Sequence, residues 1–256
     1  MKLNYSLSMW NYEAYTRPKT LEEAVAEARR SGYGVEVWPS WKDDINLFAP
    51  KNRERLVRML QDVSSSLHGG GDVVTIKQHM TQIDAAYDTK SPVIVVHSDS
   101  LGLVEHGADD YGLARDVVAY AKEKGVTIAL ENGTGSARLD KLTSALEAVD
   151  DLRICLDIGH VYVMHDHPIR EYLSRLGTRI AHLHLQDIYM VPGTRRAKGD
   201  SHRTPGQCDI PISDWQLFIS TLKKINFNGF AVFEVRPFTP DEIAGQAVEF
   251  IESIGS

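Results

Sequence analysis

Short apolar runs alternate along the chain with longer segments in which apolar residues recur every three or four positions. The first pattern is strand-like and the second helix-like. LNYSLSM predicts a first strand. TLEEAVAEARRSG predicts a helix with Leu21, Ala24, Val25 and Ala28 on one face, ended by Gly32 and Gly34. Thr20 stands at its cap position and Glu23 three residues on, which is the spacing of a capping box. GVEVW, ending at Trp38, is the second strand. The unit then recurs. Helices near 51–63 and 73–88 precede the strands SSSLH and VIVVH, and DYGLARDVVAYAKEKG precedes TIALE. Residues 137–149, IREYLSRLG and DWQLFISTLKKIN precede RICLDIGH, RIAHLHL and FAVFEV, and a last helix covers 240–253. Eight strands and eight helices in strict alternation, with no Pro- or Ser-rich linker between them, predict an α/β fold. The expected architecture is a single (β/α)8 TIM barrel over residues 1–256, a fold that typically takes about 250 residues.

The polar residues that interrupt this pattern fall at strand ends. SSSLH ends at His68, VIVVH at His97 and IALE at Glu131; ICLDIGH carries Asp157 and His160, AHLHLQD carries His184, and AVFEV carries Glu234. In a barrel of parallel strands the active site lies at the carboxyl ends. Glu131 and Glu234 each follow apolar residues, and either alone reads equally as half of a buried ion pair with a strand-end arginine. Together with Asp157 and His184, from two further strands, they make a four-ligand O/N set suited to Zn2+, Mn2+ or a similar divalent ion. Asp157-x-x-His160 adds a layer where the chain curls over the site. Asp200-x-His202 adds another, from the longest non-helical connection, 188–210. His68 and His97 complete a cluster of nine, enough for two or three ions.

The other histidines carry blander readings. His182 shares a face with His184 and reads as a hydrogen-bonded core residue, or as lining the site one layer deeper. His79 on a helix and His106 in a loop read as solvated surface, and His165 and His167 as a polar loop beyond strand six.

Composition narrows the class. The chain is 43% hydrophobic and 25% charged, as in ordinary globular proteins, and its net charge of −7 provides no global basic field for nucleic acid. The N-terminal stretch lacks an apolar signal core, and no run approaches the roughly 18 apolar residues of a membrane span. Cys155, in an apolar run, reads as a buried thiol, and Cys208 lies in a loop. Two such cysteines imply no disulfide framework, so a cytoplasmic location is expected.

CLDIGH (155–160), HLHLQD (182–187), DSHRTPG (200–206), FAVFE (230–234) and LENG (130–133) resemble, in order and spacing, the motifs of the xylose isomerase-like TIM-barrel superfamily. That superfamily includes endonuclease IV and the sugar phosphate isomerases and epimerases. The resemblance runs from about residue 60 onward. It implies that His68, His97, Glu131, Asp157, His160, His184, Asp200, His202 and Glu234 are metal-site positions, all nine of the endonuclease IV trinuclear zinc pattern. Simpler epimerases of the superfamily use mainly the Glu131, Asp157, His184 and Glu234 positions for one metal, with the two glutamates shuttling protons.

Two activities are therefore expected in order. The first is a metal-dependent isomerase or epimerase acting on a small sugar or sugar-phosphate-like substrate, with one to three Zn or Mn ions per chain. Trp10 and Trp38 would pack on the sugar, unless they are core, and Arg236 would bind a phosphate or carboxylate. Arg195, Arg196, Lys198 and Arg203, in the long loop, would do the same or remain solvated. The second is an endonuclease IV-like zinc phosphodiesterase. The negative charge argues against duplex DNA, as does the sequence GGGDVV after His68, which offers no side chain to wedge between bases.

Overall fold

The alternating pattern closes into a ring. A computed structural model describes residues 3–13, 19–41, 46–70, 73–103, 110–133, 137–236 and 240–255. Its strands are β1 (Asn4–Ser8), β2 (Gly34–Val37), β3 (Ser65–His68), β4 (Val93–Val96), β5 (Thr127–Glu131), β6 (Arg153–Asp157), β7 (Ile180–Leu185) and β8 (Phe230–Phe233). Each is parallel to the next, and β8 pairs with β1. The fold is the expected (β/α)8 TIM barrel. His106, Gly71 and Asp72 lie outside the described residues.

The helices depart from strict alternation. Between β1 and β2 run α1 (Trp10–Glu13) and α2 (Leu21–Arg30); α3 (Arg53–Leu60), α4 (Ile76–Thr89), α5 (Gly112–Glu123) and α6 (Leu139–Ala148) follow β2 to β5. Both α7 (Ile158–Met164) and α8 (Ile169–Leu176) follow β6, α9 (Ile212–Lys224) follows β7 and α10 (Pro240–Gly255) follows β8. The two additions, α1 and α7, begin within two residues of a strand end and are too short to show a full amphipathic period. The capping box at Thr20 and Glu23 is present, with both reciprocal hydrogen bonds.

Strand periodicity splits β4, β5, β6 and β8 between two environments. Ile94, Val96, Ile128, Leu130, Leu156, Leu183, Leu185 and Phe233 belong to the large core that includes the helices. The alternate residues Val93, Val95, Ala129, Cys155, Phe230 and Val232 form a separate small cluster, the apolar filling of the barrel interior. A register shift at Ile154 and Cys155 sets Cys155 opposite His182 and Asp157 opposite His184. The Cys155 thiol is buried, as expected. No described helix is long and apolar enough to cross a membrane.

His79 corrects a surface assignment. It lies on the inner face of α4, 2% exposed, with Nε2 2.7 Å from the Ser100 carbonyl. Burial pushes its pKa below the ordinary 6.5, and the hydrogen bond to Ser100 opposes this only in part. The unfolded chain therefore takes up this proton at a higher pH than the folded one. Stability from this group is complete above about pH 6.5 and declines as pH falls toward the folded value. His79→Gln, which keeps a donor for Ser100, should flatten the loss of stability on acidification below 6.5. Urea titrations at a series of pH values would show it, and an unchanged pH slope would refute the assignment.

Candidate metal centre

Each of the nine strand-end and loop residues arrives at the carboxyl end of the barrel, in three groups. Within each group one donor atom per residue lies within 4.8 Å of the others. The first is His68, His97 and Glu131; the second is Glu131, Asp157, His184 and Glu234; the third is His160, Asp200 and His202. Glu131 is common to the first two. Its Oε2 is 3.4 Å from His68 Nε2 and 3.2 Å from His97 Nε2, while its Oε1 is 3.0 Å from His184 Nδ1. Glu234 Oε2 approaches the same His184 Nδ1 at 3.6 Å. In the third group Asp200 Oδ2 sits 3.3 Å from His160 Nε2 and 2.8 Å from His202 Nε2.

Local structure explains how these side chains are delivered. The Asp157-x-x-His160 spacing is that of a helix N-cap and its third residue. Asp157 caps α7, its Oδ1 accepting from the His160 backbone N–H at 2.8 Å. Asn132 fastens neighbouring strand ends: its Oδ1 accepts from Asp157 N at 2.7 Å and its Nδ2 donates to Asp157 O at 3.0 Å. Gly133 completes the turn at φ 87, and a Cβ there would lie 2.2 Å from His160 Cβ. Gln186 links two groups, its Nε2 donating to Asp157 Oδ2 at 2.9 Å and to Asp200 Oδ1 at 3.2 Å.

The long connection is ordered by Asp187, which is fully buried. Its carboxylate accepts from the backbone N–H groups of Ile188, Gly206, Cys208 and Ile210 at 2.8, 2.9, 3.1 and 3.1 Å. Its own backbone pairs with Arg203, one residue beyond His202. Neither Gln186 nor Asp187 stands out by residue type alone, because backbone acceptors and donors close in space are invisible in sequence.

The electrostatics are those of buried acids facing imidazoles. Among the described residues, every ion-pair partner of Glu131, Asp157 and Glu234 is a histidine, so the strand-end arginine alternative does not hold. Burial resists ionisation of Glu131, yet the His184 charge and hydrogen bonds from His160, His184 and His68 hold it well below the usual range. Glu234 moves the other way: burial raises it and repulsion from Glu131 and Glu36 adds, outweighing His184 and His202. His160 rises well above its ordinary value because Asp157, Asp200 and Glu131 overcome its burial.

Glu36 is a buried acid beside the cluster that the sequence does not single out. It is fully buried in β2, with Oε2 2.9 Å from His182 Nε2 and Oε1 3.1 Å from His184 Nε2. The signal was present, an acid inside an otherwise apolar strand, but Glu36 is not at the strand's last position. His182 is both a hydrogen-bonded core histidine and one layer below the centre, through this contact. At the mouth, the Trp38 ring stacks on His68 at 3.7 Å between centroids, and Trp10 lies 4.7 Å from His202. The Arg236 guanidinium sits 3.8 Å over the Trp10 ring and is exposed. Arg195 is paired with Asp214, and Arg203 lies over Tyr189. His165 and His167 border a separate cavity of about 280 Å3, with His167 paired to Glu171.

The donor set fits a divalent metal. It combines carboxylate and imidazole ligands, and the buried Glu234 Oε1 has no hydrogen-bond partner among the described residues. Fold and donors together define a (β/α)8 barrel with a His/carboxylate centre at the carboxyl ends of its strands. The profile of the family described as xylose isomerase-like TIM barrel matches residues 25–254, and the chain belongs to that family. Solved structures share the fold. One is a D-tagatose 3-epimerase-like protein, with 19% identity, TM-score 0.72, and coverage of 99% of this chain and 100% of the other. Another is the IolI protein with a bound zinc atom, at 16% identity and TM-score 0.73, covering 99% and 98%. A third is D-allulose 3-epimerase from Methylomonas sp. in complex with D-allulose, at 18% identity and TM-score 0.67, covering 98% and 96%. No curated protein sequence matches the chain.

Removing the Asp187 carboxylate should strand four backbone donors and loosen the loop that carries Asp200 and His202. Asp187→Ala is expected to cost about 2–4 kcal/mol. It should speed amide exchange across 188–210 while leaving the barrel strands protected. Exchange rates in that loop equal to those of the parent protein would show that Asp187 does not hold it.

Proposed function

We propose that the protein is a divalent-metal-dependent isomerase or epimerase acting on a small sugar-like hydroxy-carbonyl substrate. The observation that carries this reading is the pair Glu131 and Glu234, which approach one imidazole nitrogen of His184 at 3.0 and 3.6 Å within a four-donor group. A divalent ion held by Glu131, Asp157, His184 and Glu234 would polarise adjacent carbonyl and hydroxyl oxygens of the substrate. Glu131 and Glu234 are then the groups that remove a proton from the carbon beside the carbonyl and return it. Trp10 and Trp38 wall the mouth with flat apolar surface that suits a sugar ring or chain, and Arg236 offers a planar cation for a substrate phosphate or carboxylate. The sugar epimerases among the structural relatives, one of them holding D-allulose, agree with this substrate class.

A specific observation favours a second reading. The donors form three groups rather than one, and His68, His97, His160, Asp200 and His202 exceed what a single ion needs. That arrangement suits two or three Zn2+ ions and phosphodiester hydrolysis. Anomalous scattering from zinc-loaded crystals would count the ions, and a single fully occupied site remote from His68 and His97 would remove the larger cluster.

Glu234→Ala should abolish tight metal binding while the barrel stays folded; elemental analysis showing unchanged metal content would refute its role as a ligand. Glu131→Gln should retain substantial metal yet slow exchange of a substrate carbon-bound proton with deuterated solvent by roughly a hundredfold or more. Efficient cleavage of abasic-site DNA or a model phosphodiester, with no isomerisation across a panel of ketoses and their phosphates, would reverse the order of the two readings.

A further inference from the structure

Beneath the proposed centre lies a second polar layer that no step above uses. Glu36 is 0% exposed and belongs to the barrel interior. Ser66 Oγ donates to its Oε2 at 3.2 Å, and His182 Nε2 lies 2.9 Å from the same oxygen. Its other oxygen, Oε1, faces His184 Nε2 at 3.1 Å. These two atoms are close but not aligned as a hydrogen bond, and neither has another hydrogen-bond partner among the described residues. The opposite nitrogen of the same ring, Nδ1, points at Glu131 and Glu234.

We infer that Glu36 is a positioning residue: it takes the Nε2 proton of His184 in a hydrogen bond and so presents Nδ1 as the ring's lone-pair donor to the Glu131, Asp157 and Glu234 group. The inference rests on the reading of His184 as a metal ligand. Its logic is that of a carboxylate behind a ligating histidine. An imidazole has one donor and one acceptor nitrogen when neutral, and the partner of the far nitrogen decides which is which. A slight turn of the His184 ring would align Nε2 with Oε1. Glu36 itself sits one layer below Glu131 and does not reach the mouth. Ser66 and His182 occupy Oε2, so Oε1 is the oxygen left facing His184 Nε2, with a His68 donor atom within 4.8 Å of the same pair. The competing neighbour of the ring is the Cys155 thiol, which lies with His182 and His184 in another donor group. That sulfur is fully buried, and a thiol is only a weak acceptor beside a carboxylate.

The test uses the full chain loaded with zinc. Long-range 1H–15N correlation of the parent protein should show His184 protonated at Nε2 and zinc-bound at Nδ1. Chelator competition should give Glu36→Gln a zinc dissociation constant raised roughly 10- to 100-fold. Cys155→Ala should leave that constant unchanged, and the metal-free Glu36→Gln protein should melt cooperatively. A parent spectrum with zinc on Nε2 would overturn the inference. So would unchanged zinc affinity in folded Glu36→Gln, or loss of one whole zinc equivalent with the rest unaffected, which would make Glu36 a ligand itself. Failure of the parent protein to take up zinc, manganese or any other divalent ion would instead refute the metal reading, before Glu36 is tested.

Discussion

Four carboxylates, Glu36, Glu131, Asp157 and Glu234, are withdrawn from water inside the upper half of the barrel, and imidazoles stand against them. Each buried acid would cost several kcal/mol if left alone. Among the described residues no lysine or arginine pairs with these four. His68, His97, His160, His182, His184 and His202 therefore carry the compensation, through contacts of 2.9 to 3.9 Å. Everything above the apolar filling of Val93, Val95, Ala129, Cys155, Phe230 and Val232 is arranged around that requirement.

The arrangement explains why so many polar side chains here serve to hold other polar side chains in place. α7 exists because Asp157 caps it, and the cap is also what aims His160. Asn132 ties the end of β5 to the end of β6, holding Glu131 and Asp157 at a fixed separation. Gln186 spans Asp157 and Asp200, and Asp187 gathers four backbone N–H groups of the returning loop. Strand ends thus hold the second group, whereas two members of the third, Asp200 and His202, are held by a loop tied down by one buried acid. Preorganisation of this kind is what a metal or a charged transition state requires, since the donors need not move to meet it.

The mouth has a different character. Trp38 lies flat on His68, Trp10 lies against His202, and Arg236 covers Trp10. The aromatic rings limit how far the histidines can swing and present apolar faces beside a dense set of charges.

The barrel was legible in the sequence because eight strand-length apolar runs and eight amphipathic helices each announce themselves locally. The nine candidate ligands were legible for a related reason: a charged or imidazole side chain at the end of an apolar run contradicts its surroundings. His79 and Glu36 mark where that reasoning stops. Helical periodicity allowed His79 to face water, and only packing against the segment carrying Ser100 turned it inward. Glu36 interrupts a strand of four, too short for its alternation to show which face it takes, and its partners lie 146 and 148 residues away. The two short helices and the roles of Gln186 and Asp187 likewise depended on contacts between distant backbone groups. Sequence alone determined the fold class and the identity of the candidate donors, because both are written in local contrasts of polarity. The grouping of those donors into three sets, the sharing of Glu131 between two of them and the carboxylate beneath His184 were decided by barrel closure, which brings strand ends together across the ring.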